Sequence, residues 1–156
     1  MVSRSDKTVL VTGATGKVGQ TFIRRFLANP AWKGAKVRAL CHNRLLEETD
    51  RLKVVRGSIS QRADVARALD GVTHVVHLAT CKETPDDVMD VAVKGMFWLL
   101  EECRQSPTFE RFVLVGGDAG IGHFVYPHPV PVTEMQEHSA YQGCYALSKV
   151  IEEVML

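Results

Sequence analysis

The chain has 156 residues, the length of one ordinary domain, and its 46% hydrophobic and 24% charged residues are the balance of a globular protein able to bury a core. Nineteen Lys and Arg against eighteen Asp and Glu leave a formal net charge of +1, so neither nucleic acid nor an anionic membrane surface is an expected partner. No apolar run approaches the roughly 20 residues of a membrane span, and MVSRSDKTVLVTG at the N-terminus lacks the apolar core of a signal peptide. Cys41, Cys81, Cys103 and Cys144 lie far apart, without a C-x-x-C pair or a His at zinc spacing. A disulfide framework or metal site is therefore not expected, and a cytoplasmic location is.

Taken in order, Thr8 to Val11 is an apolar run closed by Thr12 and Gly13, the pattern of a strand buried on both faces. Lys17 to Ala28 places Val18, Phe22, Ile23, Phe26 and Leu27 at helical spacing, and Asn29-Pro30 stops it. Lys36 to Cys41 and Leu52 to Val55 read as strands. Ala63 to Leu69 reads as a helix, Thr73 to Leu78 as a strand, and Asp86 to Gln105 as a long helix entered through Thr84-Pro85. Arg111 to Val115 is a fifth strand, and Tyr141 to Leu156 a last helix with an apolar face of Leu147, Val150, Ile151 and Val154. That pattern runs to Leu156 without a capping residue, which predicts further structure beyond it. Alternation of apolar strands with helices predicts a doubly wound, parallel α/β sheet of about five strands, helices on both faces. The irregular stretch from Gly116 to about Ala140 is long enough to predict a lid or binding loop.

Between the first strand and first helix stands TGATGKVG, with Gly13, Gly16 and Gly19. In such a loop one glycine permits a tight turn, one lets backbone approach a pyrophosphate, and one allows helix and strand to pack closely. The diphosphate then rests on N–H groups at the helix N-terminus. The pattern alone is weak evidence; its position after an apolar strand and before an amphipathic helix makes it strong.

VTGATGKVG resembles the nucleotide loop of the extended short-chain dehydrogenases/reductases, the NAD-dependent epimerase/dehydratase group. VVHLATCK (75–82), VAVKG (91–95), PVTE (131–134) and YALSK (145–149) resemble further segments of that family in the same order. The resemblance implies a Rossmann-type domain over 1–156, truncated relative to the family and lacking its C-terminal substrate region. It implies cofactor contacts from Gly13, Thr15, Gly16, Lys17, Val18, Gly19, His42, Arg44, Ser58, Ile59, Leu78, Ala79, Thr80 and Lys82, together with Tyr145 and Lys149. It also implies a homodimer through the long helix and the Tyr-bearing helix.

Tyr145 and Lys149 stand one helical turn apart on one face. An ammonium there favours the phenolate, lowering it from the free value of about 10, so that Tyr145 exchanges a proton with a substrate hydroxyl or carbonyl. Two positions depart from the family pattern. Gly117 stands where the family carries its Ser, and Ala92 where it carries Asn; Asp118, Thr133 and Ser139 are the polar residues nearby in sequence. A milder departure is Ser58, where Asp is frequent. Loss of a positioned polar group lowers rates by orders of magnitude. Two readings therefore stand side by side: an NAD(P)-dependent oxidoreductase or epimerase/dehydratase acting on a small hydroxyl or carbonyl substrate, and a non-catalytic redox-sensing module or inactive fragment of a larger enzyme.

For the cofactor, an acid at the end of the second strand favours NAD. This strand ends Leu40-Cys41-His42-Asn43-Arg44, with no acid, while Lys17, Arg38, His42 and Arg44 form a basic set for a 2′-phosphate. NADP is the expected cofactor, NAD the alternative. Cys144 reads as a small packing residue, Trp98, Leu99 and Val91 as core, and His74 and His77 as strand histidines.

Overall fold

The computed structural model describes residues 7–81, 83–128 and 130–156. Its elements are β1 (Thr8–Thr12), α1 (Lys17–Ala28), β2 (Lys36–Cys41), β3 (Leu52–Arg56), α2 (Arg62–Leu69), β4 (His74–His77), α3 (Pro85–Val88), α4 (Gly95–Gln105), β5 (Arg111–Leu114) and α5 (Cys144–Met155). Short helical turns at Pro30–Trp32, Met89–Lys94 and Asp118–Gly120 complete them. Among the described residues no helix is long and apolar enough to cross a membrane. Cys41, Cys81, Cys103 and Cys144 are free thiols.

The chain divides into two compact units. The first runs through Ala79 and adds Trp98–Val115; the second comprises Thr80–Phe97 and Gly116–Leu156.

The first unit holds a five-stranded sheet of order β3-β2-β1-β4-β5, with every pairing parallel. Val9 pairs with Val37 on one side and His74 on the other, so β1 is central. The chain steps outward from β1 through β2 to β3, then crosses back to β4. Right-handed crossovers in these opposite directions place α1 and α2 on opposite faces of the sheet. The core is built from the residues the apolar runs supply: Val9, Val11, Ile23, Val37, Ala39 and Leu52 are buried, with Phe22, Phe26 and Leu27 of α1 packed against them. Arg51 closes the α1–β2 connection by donating to the carbonyls of Ala35, Leu27 and Trp32 at 2.6–2.9 Å. Val18, on the same helical stripe, departs from the expected face and is 65% exposed. It sits in the first turn of α1, beside the glycine loop and beyond the apolar layer.

The helix expected from Asp86 to Gln105 is not one continuous α-helix. α3 enters through Thr84 and Pro85 as the sequence predicts, but Met89–Lys94 is a π turn before α4 begins. The wider turn carries Ala92 inward, fully buried. α5 begins at Cys144, three residues later than expected, because Gly143 at φ 138 is in a backbone conformation that no helix contains. Its buried residues are Ala146, Ser148, Lys149 and Glu152, whereas Leu147 and Val154 of the expected apolar face are exposed. A buried Lys–Glu pair explains the difference, since opposite charges one turn apart can enter the interior together and a single charge cannot.

Candidate functional site

In the first unit the carboxyl ends of β1 and β4 lie side by side where the chain's crossover direction reverses, the position at which open α/β sheets bind ligands. Gly13 turns the chain there at φ 64, and a Cβ on it would come within 2.5 Å of the Leu78 carbonyl oxygen and 2.7 Å of the Ala79 nitrogen. Only glycine meets both conditions. A Cβ on Gly19 would lie 2.3 Å from the Gly13 oxygen, so α1 rests directly on the turn. At Gly16 a Cβ would meet only the Gly13 oxygen, at 3.2 Å. The three expected roles thus fall on Gly13 (tight turn), Gly19 (close packing) and Gly16 (open approach).

Gly16 is also the N-cap of α1, with no side-chain cap and no acid in the first turn. First-turn N–H groups have no partner within their own helix, and the positive end of the helix dipole favours an anion there. Lys17 and Val18 are exposed at this end. Arg44 donates to the Thr15 carbonyl at 3.1 Å, and Gln20 to the same oxygen at 2.8 Å. The open face at Gly16, uncapped donors and adjoining cations fit a diphosphate.

Thr12 and His77, which sequence reasoning did not assign to the site, hold the turn in place. The Thr12 hydroxyl accepts from the backbone N–H of Leu78 and of Ala79, each at 3.2 Å. Its single proton is then left to point at His77 Nδ1, 2.7 Å away, which makes that nitrogen an acceptor. The network fixes the β4 end against Gly13. Asp64, likewise missed, accepts from the Ser58 N–H at 2.8 Å. That bond is the first reason its carboxyl is held below the ordinary value of 3.8, with Arg67 and His42 adding to it. Ser58 turns its hydroxyl to Ser60, 2.9 Å away, and Ile59 is buried.

Arg38 leaves the expected basic set. Its guanidinium donates to the carbonyls of Ala68, at 3.1 Å, and Asp70, at the end of α2, where the helix dipole attracts a cation. Lys17, His42 and Arg44 remain. A cleft of about 690 Å³ runs along α1, lined by Lys17, Gln20, Arg24, Leu27, Leu46 and others; of the glycine-loop residues it includes Lys17.

The second unit carries Thr80, which is exposed, and the Tyr-x-x-x-Lys pair of α5. Lys82 lies outside the described residues. The Lys149 ammonium stands 5.7 Å from the centroid of the Tyr145 ring and bonds Glu152 Oε2 at 2.7 Å. Tyr145 is half-buried, and its carbonyl accepts from the Ser148 hydroxyl at 2.8 Å. Glu83 anchors the start of α5 by accepting from Cys144 Sγ at 3.0 Å and the Tyr145 N–H at 3.1 Å. The Cys144 bond is the first cause, and the Tyr145 bond the second, that keep the Glu83 carboxyl below the usual range. Neither Thr12 nor Glu83 carries a sequence signal, because each acts through a distant backbone.

Gly117 lies against this pair. A Cβ there would meet Lys149 Cγ and Cδ at 3.2 and 3.3 Å, so the stem of Lys149 fills the space next to the missing side chain. Ala92 is buried in the π turn, and Asp118, Thr133 and Ser139 are all exposed. Among the described residues no group of His, Cys, Asp and Glu is placed to hold a metal ion.

A glycine loop of this geometry at the switch point of a parallel sheet defines a Rossmann-type fold. The chain belongs to the NAD-dependent epimerase/dehydratase family, whose model matches residues 9–156. It is 35% identical over 106 residues to sterol demethylase protein B of Methylococcus capsulatus, covering 64% of this chain and 31% of that protein. It is 30% identical to a dihydroflavonol 4-reductase of Zea mays over 68% of this chain and 33% of the relative. Against the dihydroflavonol 4-reductase of Hordeum vulgare the identity is 26%, over 93% of this chain and 46% of that one. The chain thus spans about a third to a half of the length of these relatives. Among solved structures, the Bordetella bronchiseptica enzyme WbmH in complex with NAD+ superposes with a TM-score of 0.80 at 25% identity, over 95% of this chain and 50% of that one. Uronate dehydrogenase from Agrobacterium tumefaciens, at 24% identity and a TM-score of 0.81 over 96% of this chain and 54% of its own, shows the same fold.

Proposed function

We propose that the chain binds a nicotinamide dinucleotide on the Gly13–Gly19 loop and belongs to an oxidoreductase or epimerase/dehydratase acting on a hydroxyl or carbonyl substrate. The observation that carries this reading is the loop itself: Gly13 and Gly19 are sterically required, and Gly16 is open where an anion would lie. The bound nicotinamide would supply or accept the hydride. The residues of the chain do the rest. First-turn N–H groups of α1 hold the diphosphate, Thr12 keeps the β4 end fixed, and Tyr145 moves a proton to or from the substrate oxygen.

NADP is the preferred cofactor in this reading. Arg44 is pinned on the Thr15 carbonyl, Lys17 and His42 are exposed nearby, and β2 ends without an acid. A homodimer through α5 is supported by the exposure of Leu147 and Val154, and sedimentation at two concentrations tests it.

The second reading, a non-catalytic binding module, is favoured by one observation. The Lys149 stem occupies the space beside Gly117, and the hydroxyl the family places there is lacking. Oxidation of NADPH in the presence of a panel of small ketones and aldehydes separates the two. Turnover that disappears in Tyr145→Phe while NADPH binding persists supports the enzyme. Absence of turnover in the parent chain, with binding intact, overturns the catalytic role of Tyr145 and leaves the binding module.

A further inference from the structure

α5 starts without a cap of its own. Its N-cap residue, Gly143, has no side chain to offer, and the first turn, Cys144-Tyr145-Ala146, contains no acid. The first N–H groups of a helix have no acceptor within it, and a Ser, Thr, Asp or Asn at the N-cap ordinarily supplies one. Here the acceptor comes from far along the chain. Glu83, just before α3, takes the Tyr145 N–H at 3.1 Å and the Cys144 thiol at 3.0 Å on its Oε1, from 62 and 61 residues away in sequence.

Gly143 makes this approach possible. A Cβ on it would lie 2.7 Å from Glu83 Oε1, 3.2 Å from Cδ and 3.3 Å from Oε2, so the carboxylate occupies the place of the missing side chain. Its φ of 138 is a second reason for glycine at this point. The donors at the helix start, with the positive end of the dipole behind them, favour a charged acceptor. The Glu83 carboxyl is accordingly held below its usual range, by the Cys144 thiol first and the Tyr145 N–H second. α3 itself packs against α5.

We propose that Glu83 is a positioning residue: it caps α5 from outside the helix at Tyr145 and thereby sets where the Tyr145 phenol stands for proton transfer. This inference rests on the reading of Tyr145 as the acid/base. Ser148, which donates to the Tyr145 carbonyl at 2.8 Å, and Lys149, 5.7 Å from the centroid of its ring, belong to α5 and move with it. Glu83 belongs to the segment leading into α3, so its bond fixes the start of α5 against a second element. Reaction geometry has little tolerance: a group misplaced by about 1 Å loses about 100-fold in rate.

The test compares Glu83→Ala, which removes the acceptor, with Glu83→Gln, which loses the charge and keeps an oxygen to accept the N–H. Two NMR signals are read in each: amide exchange at Tyr145, and the Tyr145 ring cross-peak, assigned by its loss in Tyr145→Phe. In Glu83→Ala the Tyr145 amide should exchange about fivefold faster or more, amides of α1 should keep their parent rates, and the ring cross-peak should move. Glu83→Gln should return both signals most of the way to the parent. A folded Glu83→Ala in which either signal matches the parent, or a Glu83→Gln no nearer the parent than Glu83→Ala, overturns the proposal. If Glu83→Ala does not fold, Glu83→Asp decides by the same two signals, because it keeps the charge and shortens the reach. Turnover of NADPH with carbonyl compounds, measured alongside, bears on the acid/base reading. A parent without turnover defeats that reading and leaves the two signals to decide on Glu83. Where the parent turns over, kcat should fall about tenfold or more in Glu83→Ala with KM for NADPH unchanged, and an unchanged kcat overturns the proposal.

Discussion

Replacing Gly19 by Ala separates a glycine required by packing from one required by a ligand. The new Cβ would sit 2.3 Å from the Gly13 oxygen, 2.8 Å from Ala14 Cα and 2.9 Å from the Ala14 oxygen. An unstrained carbon–oxygen contact is about 3.3 Å, so the overlap is about 1 Å. All three atoms are backbone, of a turn already set by Gly13 at φ 64, so no side chain can swing aside. Overpacking of this kind costs about 1–3 kcal/mol, while Ala in place of Gly inside a helix returns up to about 1 kcal/mol. The overlap wins, and net destabilisation should be about 1–2 kcal/mol, a fall of about 2–8 °C in melting temperature for a chain of this size. Dinucleotide affinity should fall with it, because α1 must move away from the turn that carries the diphosphate. Gly16→Ala is the contrast: its Cβ meets one atom, at 3.2 Å. It should melt within about 3 °C of the parent and still lose dinucleotide affinity, because the methyl group enters the open face. Thermal melts with and without NADPH measure both effects. A Gly19→Ala chain as stable as the parent, or a Gly16→Ala chain that binds as tightly, would refute the division of roles.

Thr12→Val leaves two backbone donors and His77 Nδ1 without the hydroxyl. It should cost about 1–3 kcal/mol in urea unfolding, with Thr12→Ser restoring most of that; a Val variant of parent stability would remove the network from the account. Arg44→Ala should weaken NADPH about tenfold, about 1.4 kcal/mol, and leave NADH nearly unchanged, as read by calorimetry; equal losses for the two would mean that Arg44 only braces the loop. Asp64, whose carboxyl is held below 3.8 chiefly by the Ser58 N–H, stabilises the fold in its ionised form. Its contribution is therefore present above the unfolded value and lost as pH falls through the lower folded value. Asp64→Asn should be less stable than the parent at pH 7, and the gap should close below about pH 4; a gap that is independent of pH would assign the effect to packing.

Much of this fold can be read along the chain. α1 and β2 have the bounds their patterns predict, because an apolar stripe and the Asn29-Pro30 stop are local signals that tertiary packing agrees with. The glycine loop is legible for the same reason. What cannot be read depends on partners distant in sequence. Arg38 looks like one of four cations near a phosphate site until the end of α2 takes its guanidinium. The π turn at Met89–Lys94 leaves no trace in i, i+3 and i, i+4 spacing, since its pairing is one residue wider. α5 misleads most: its apolar stripe marks Leu147 and Val154, which are exposed, while the buried face carries Lys149 and Glu152. Hydrophobic periodicity assumes that charges stay in water, and a buried ion pair escapes it.

The most direct measurement is a calorimetric titration of the purified chain with NADPH and, separately, with NADH, repeated on Gly16→Ala. The parent should bind the dinucleotide, NADPH more tightly than NADH, and the added methyl should markedly weaken both. Binding of neither dinucleotide by a folded parent chain, or binding that Gly16→Ala leaves unchanged, would contradict the assignment of the Gly13–Gly19 loop as the cofactor site.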